Sequence, residues 1–157
     1  MASFTERETV QKPIIEYATQ IGWEYIKPEE AERQRGNNTS IILGEIFINQ
    51  LKKLNPDFSE KEIQQVLREL ENIYPENIEG NLTAWEYLKG IRAIFVEAHK
   101  RHLNIKLIDT ENIENNAFHV SEEFTFTDGT KTIRQDIVFF INGIPLIFVE
   151  AKAPHVL

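Results

Sequence analysis

Residues 134–152 read Arg-Gln-Asp-Ile-Val-Phe-Phe-Ile-Asn-Gly-Ile-Pro-Leu-Ile-Phe-Val-Glu-Ala-Lys, two buried-strand segments meeting at Asn142-Gly143. A segment this apolar belongs in a core, and its second half is apolar on both faces, the pattern of a strand covered on both sides. Asp136, Glu150 and Lys152 interrupt it, and three charged groups are costly to bury unpaired. A metal ion held by the two acids, with the lysine beside it, accounts for all three. Hydrolysis of a phosphodiester with a divalent metal needs that set of groups.

The register of the two strands decides whether the acids meet. A strict two-residue Asn-Gly loop pairs Ile141 with Ile144 and Asp136 with Val149, which puts Asp136 and Glu150 on opposite faces. A three-residue loop, or a bulge within either strand with Pro145 as its natural place, restores a common face. The sequence therefore predicts an odd-residue offset. The spacing alone also fits two plain ion pairs, Asp136 with Arg134 and Glu150 with Lys152. Glu150-Ala151-Lys152 is, however, the only Glu-x-Lys in the chain.

Upstream, Ser3-x-x-Glu6 and Thr5-x-x-Glu8 fit capping boxes ahead of a helix carrying Val10, Ile14, Ala18 and Ile21. Pro13 should kink that helix or begin its main body, and Gly22 should stop it. Trp23 to Ile26 reads as a short strand, and residues 28–38 as a charged loop. Three helices follow: Ile41 to Leu54, one capped by Ser59 and Glu62, and one capped by Thr83 and Glu86. The last carries Trp85, Leu88, Ile91 and Phe95 as a stripe and ends at His99-Lys100-Arg101-His102. Trp23 and Trp85 are expected to pack in the interior. Strands are expected over 105–108, 118–126 (with Phe118, Val120, Glu122, Phe124 and Phe126 on one face), 131–141 and 144–151.

The 157 residues suffice for one domain with a core, and 1–157 is read as one domain. There is no cysteine, which excludes disulfides and thiolate metal sites and fits a cytoplasmic protein. No apolar run is long enough to span a membrane. The net charge of −8 is unusual for a freestanding DNA binder and suits a module delivered to DNA by other domains. Arg33, Arg35 and the neighbouring Asn37-Asn38 are candidates for a phosphate-contacting loop. His99-x-x-His102 has ligand spacing, but Lys100 and Arg101 between them would repel a cation, so a solvated helix end or a DNA phosphate contact is the better reading.

Phe118 to Phe126, Arg134 to Leu146 and Phe148 to Lys152, with Leu107-Ile108-Asp109 and Asn115 to Phe118 upstream, closely resemble the nuclease domain of the R subunit of type I restriction enzymes. The resemblance implies a PD-(D/E)xK restriction-endonuclease-like α/β core, a mixed central sheet flanked by helices, with a helical insertion. It implies double-stranded DNA as substrate and Mg²⁺ as cofactor. Asp136, Glu150 and Lys152 take the catalytic roles, and Asp136, Glu150 and the Ala151 carbonyl are the expected metal ligands. Gln135 stands where that motif often has proline, and Ala151 where leucine is usual. Glu8 or Glu6, from the first helix, and Gln135 are candidates to support the site.

The same resemblance implies an ATP-driven motor and modification and specificity subunits. No Gly-x-x-x-x-Gly-Lys-Ser/Thr loop occurs here, so ATP is expected to bind outside this chain, which is expected to be the N-terminal part of a larger motor-nuclease protein. The rival expectations are a non-catalytic DNA-docking or assembly module of the same fold, and a DNA-repair nuclease of the same superfamily.

Overall fold

The computed structural model describes residues 7–36, 39–73 and 78–152. They form two compact units, one built from the described residues up to 43 and from 118 onward, the other from those of the insertion 44–117.

In the first unit a π-helical turn, Arg7–Gln11, leads into α1, Lys12–Gln20. Pro13 falls in the first turn of α1, where its missing N–H costs no hydrogen bond, so it begins the α-helical body rather than kinking it. Gly22, at φ +101°, ends the helix: the Gly22 and Trp23 amides donate to the Thr19 and Ala18 carbonyls, at 3.2 and 3.0 Å, a Schellman closure. The capping boxes at Ser3 and Thr5, and Glu6 itself, lie outside the described residues. The sheet runs β1 (Glu24–Tyr25), β4 (Phe118–Thr127), β5 (Thr132–Ile141), β6 (Ile144–Val149) across its width; β1 is parallel to β4 and the rest are antiparallel. It is a mixed sheet, as expected. Ala18 of α1 packs on Val120 and Ile137, with Ile14, Trp23, Phe139 and Val149 around them. Trp23 meets Phe118 and Phe139 edge-on at 5.1 and 5.0 Å and is a packing residue, as expected.

Two expectations fail in this unit. Residues 28–35 are not a loop but α2, Pro28–Arg35. The helix lacks an apolar stripe and is held by end effects instead: Pro28 in the first turn, Glu29 and Glu30 near the positive pole, Arg33 and Arg35 near the negative one, and Gly36 at φ +72° to stop it. The stripe expected along β4 is also broken. Glu123 has φ +51°, and pairing passes from Glu122–Ile137 to Phe124–Gln135 without a Glu123–Asp136 step. The break turns the strand over: Val120 faces α1, whereas Phe124 packs on Phe140, which faces the other way.

The second unit holds α3 (Gly44–Leu54), α4 (Glu60–Glu71), α5 (Ile78–Leu88) and a two-stranded ribbon, β2 (Ala93–Val96) with β3 (Arg101–Asn104). The Ser59–Glu62 capping box is present, the Ser59 amide donating to Glu62 at 2.7 Å. Glu62 is buried and also accepts from the Glu97 amide at 2.8 Å, contacts that hold its carboxyl below the usual range.

Thr83 is not a cap. It lies inside α5, its hydroxyl donating to the Glu79 carbonyl. The helix stops at Leu88, where Gly90 takes φ +66°, so Phe95 lies on β2 and His99 to His102 run through the ribbon's turn rather than a last helical turn. Trp85 is 56% exposed, with Lys89 over its ring, and is not an interior residue. Residues 105–108 alternate like a strand, with Ile105 and Leu107 buried, but among the described residues no strand pairs with them beyond the Ile105 amide, which donates to the Arg92 carbonyl at 3.0 Å. The buried Asn55 side chain pairs with Lys106 instead, donating to its carbonyl and accepting from its amide at 2.8 Å each.

Candidate active site

The hairpin carrying the three charged residues closes by a two-residue turn. Asn142 and Gly143 both have positive φ, +52° and +81°, as a type I′ turn requires, and Ile141 pairs with Ile144. By itself that register puts the acids on opposite faces. The ladder then slips: Phe140 pairs with Pro145 but Phe139 with Ile147, so Leu146 is an extra, bulged residue. Beyond the bulge Val138 pairs with Phe148 and Ile137 with Val149. One step further along the same register, Asp136 stands opposite Glu150. The odd-residue offset expected from the sequence is present, supplied by a bulge next to Pro145 rather than by a longer loop.

Packing reinforces the assignment of faces. Ile137 and Val149, which pair, both belong to the cluster under α1. Their neighbours Asp136 and Glu150 therefore face away from α1 together. The Ala151 amide donates to Asp136 Oδ2 at 2.7 Å, tying the end of β6 to the middle of β5. Lys152 Nζ lies 3.9 Å from Glu150 Oε1. Their side chains are 81% and 75% exposed, and Asp136 is half-buried. Of the two plain ion pairs, the one at Asp136 does not form: Arg134 is engaged by Glu123 at 2.9 Å.

The remaining candidates are dispersed. Gln135 adjoins Asp136 in sequence, is half-buried, and pairs with Phe124 of β4. Glu8 pairs with Lys12 at 2.5 Å in the first helical turns. Arg33 is bound by Glu30 at 2.7 Å within α2. Arg35 was expected on a phosphate-contacting loop and is instead buried, stacked 4.1 Å over Phe124 and donating to the Ser40 and Thr125 carbonyls at 3.1 and 2.8 Å. It pins α2 to β4. Lys100 and Arg101 are exposed at the turn of the β2–β3 ribbon.

One feature close to the site has no sequence signature. Glu122, buried, accepts from Arg7 Nε and Nη2 at 3.0 and 2.8 Å and from the Tyr25 hydroxyl at 2.8 Å. The Arg7 hydrogen bonds hold the Glu122 carboxyl below its usual range; burial, then the Glu122 contact, pushes the Tyr25 phenol up to about 12. The residues are 115 and 97 positions apart, so no local pattern announces them.

Among the described residues no three His, Asp or Glu side chains gather around one point. The protein donors at this end of the sheet are two carboxylates and backbone carbonyls, all hard oxygen ligands. That number suits Mg²⁺, which commonly takes one or two carboxylates and completes its shell with water and substrate phosphate. It suits zinc poorly, since zinc favours nitrogen and sulfur donors in a closed set.

Fold and site together define an α/β protein with a mixed sheet that presents two acids and a lysine at one strand end. The family described as "Type I restriction enzyme R protein N terminus" matches residues 3–156, and the chain belongs to that family. It is 24% identical over 155 residues, 92% of this chain and 15% of the relative, to the type I restriction enzyme HindI endonuclease subunit of Haemophilus influenzae. Two chains of Methanocaldococcus jannaschii, provisionally named as the MjaIXP and MjaVIIIP type I restriction enzyme endonuclease subunits, are also similar. They are 31% and 33% identical over 98% and 91% of this chain. The chain spans only 14–16% of the length of these relatives. No helix among the described residues is long and apolar enough to cross a membrane.

Proposed function

We propose that this chain is the Mg²⁺-dependent nuclease module of a type I restriction enzyme, with a restriction-endonuclease-like core that cuts double-stranded DNA. In this reading ATP is consumed by motor domains elsewhere in the complete protein, and modification and specificity subunits direct the complex to DNA in the cytoplasm. The observation that carries the reading is the bulge at Leu146, which brings Asp136 and Glu150 to one face beside Lys152.

Asp136, Glu150 and the Ala151 carbonyl are the groups that would hold the ion. An ion held there would supply a lowered pKa for its bound water and an offset to charge on the phosphate. The protein's own part begins with orientation. The Ala151 amide fixes one oxygen of Asp136 and so orients the carboxylate. Lys152 places its amine on the same side as Glu150, where it can orient the attacking water and offset charge that grows on the phosphate oxygens. Water adds to phosphorus, one P–O ester bond breaks, and the departing oxygen takes up a proton.

The test is Asp136→Ala, Glu150→Ala and Lys152→Ala, each in the complete enzyme with its partner subunits. Each should lower DNA cleavage by about 10³-fold while leaving assembly intact. Cleavage at the wild-type rate by any of them refutes the assignment. Calorimetric Mg²⁺ titration separates a nuclease from a docking module of the same fold: only the nuclease loses a binding heat on Asp136→Ala.

A further inference from the structure

The second unit has a surface that the nuclease reading does not use. Residues 89–106 contain Lys89, Arg92, Lys100, Arg101 and Lys106 against a single acid, Glu97, in a chain whose net charge is −8. Positive charge is thus concentrated on one short stretch, and that stretch is the β2–β3 ribbon with its two shoulders. The ribbon pairs with no other strand. One face, carrying Ile94 and Val96, is buried. The other carries Phe95 and His102, which sit opposite each other, exposed, with rings 5.4 Å apart.

The cations divide into held and available. At the shoulders Arg92 is bound by Glu86 at 3.4 Å, Lys106 lies 3.7 Å from Asp109, and Lys89 sits 5.3 Å over Trp85. At the tip Lys100, at φ +52°, is paired with Glu97, and His99 with Asp57 at 3.2 Å. Arg101, opposite Val96 at the end of the ladder, is exposed, and its side chain has no partner among the described residues. We propose that the β2–β3 hairpin docks in the major groove of double-stranded DNA, with Arg101 and Lys100 on backbone phosphates and the Phe95–His102 pair facing the groove. A two-stranded ribbon fits a groove about 12 Å wide. A-form RNA closes its major groove to side chains, so DNA is the partner the shape selects. That the partner is a nucleic acid rests on the nuclease reading; the docking surface itself is tested separately from it.

The experiment is fluorescence anisotropy of a labelled duplex of about 20 base pairs, two helical turns, titrated with the chain in EDTA across a salt series. Without metal, cleavage plays no part. Lys100→Glu combined with Arg101→Glu should weaken binding at least about tenfold at low salt and flatten the salt dependence by about one power of concentration per lost phosphate contact. Arg101→Gln, a milder change, should lie between. Lys61→Glu, a charge reversal on the exposed side of α4, should bind like wild type. The proposal is overturned if the double variant, folded by circular dichroism, binds like wild type. It is equally overturned if Lys61→Glu loses as much, if an RNA duplex binds as tightly, or if the wild-type chain does not bind duplex at all. Hairpin-dependent binding by a chain whose complete enzyme never cuts DNA would uphold the docking surface and refute only the nuclease reading.

Discussion

Two carboxylates on neighbouring strands, one on each face of the same sheet, have opposite fates. Glu122 faces α1, is buried, and has both oxygens engaged by Arg7 and Tyr25. Asp136 faces the other way, is half-buried, and accepts one backbone hydrogen bond; Glu150 opposite it is largely exposed with only a long contact to Lys152. A buried carboxylate with all its partners inside the protein holds structure together and has no capacity left for a ligand. A pair left under-coordinated at a strand end costs little there, because water reaches it, and retains that capacity. Saturation of partners, more than burial or sequence context, separates the structural acid from the functional ones.

The comparison is broken most sharply by moving Glu150 without touching the core. Insertion of one alanine between Val149 and Glu150 leaves Ile137–Val149 paired under α1 but turns Glu150 to the other face and detaches the Ala151 amide from Asp136. Cleavage by the complete enzyme should fall about 10³-fold, as for Asp136→Ala. Deletion of Leu146 is the counterpart. It straightens the ladder while keeping Phe139 opposite Ile147, and therefore Asp136 opposite Glu150, so cleavage should survive. If the insertion cuts normally, or the deletion is as dead as Asp136→Ala, the register carries no chemistry.

The structural side of the comparison is measured by stability. Glu122→Ala strands the Tyr25 hydroxyl and removes a charge-assisted acceptor, and should cost about 2 kcal/mol, seen as a lower urea midpoint with unchanged slope. Cleavage per folded molecule should stay within about twofold. The effect has a pH signature. Glu122 has a lowered folded pKa, so its contribution is present above the unfolded carboxyl value of about 4.3 and is lost as pH falls through the folded value. Tyr25 has a raised one, so its contribution is complete below about 10 and declines as pH rises toward about 12. Glu122→Gln should flatten the acid side of the stability profile; an unchanged acid limb would show that the clamp contributes nothing.

How much of this could be read in advance follows from how local each cause is. The end of α1 at Gly22, the start of α4 at Ser59 and Glu62, and the spans of β4 to β6 depend on residues a few positions apart, and all were legible. So was the need for an odd offset, because the period-two alternation of a strand allows only two outcomes. Residues 28–35 were illegible as a helix because their support is electrostatic and their only buried residues are Ala31 and Arg35. The stripe at Trp85, Leu88, Ile91 and Phe95 misled because Gly90 divides a helix from a strand that shares its hydrophobic content. Residues 105–108 alternate as a strand does, yet beyond the Ile105 amide, which donates to the Arg92 carbonyl, the backbone of Lys106 is met by one buried amide, Asn55, about fifty positions away. The Arg7–Glu122–Tyr25 clamp rests on contacts that only the folded chain creates.

The smallest effect distinguishes the two carboxylate environments by ligand rather than by rate. If Asp136 and Glu150 hold Mg²⁺ only in the folded chain, the ion must stabilise the fold by mass action, by about 1.4 kcal/mol at tenfold its dissociation constant. For a domain of this size that is a rise in melting temperature of roughly 3–6 °C. Asp136→Asn keeps the shape of the side chain and its acceptor for the Ala151 amide but removes the charge a hard cation requires, so the Mg²⁺-dependent rise should vanish while the metal-free melting temperature barely changes. Glu122→Gln should behave inversely, with a lower metal-free melting temperature and an undiminished rise on adding Mg²⁺. Differential scanning fluorimetry with and without EDTA reads both. If the two variants respond alike, saturation of partners does not divide the structural acid from the functional ones, and the contrast between the two faces of the sheet loses its meaning.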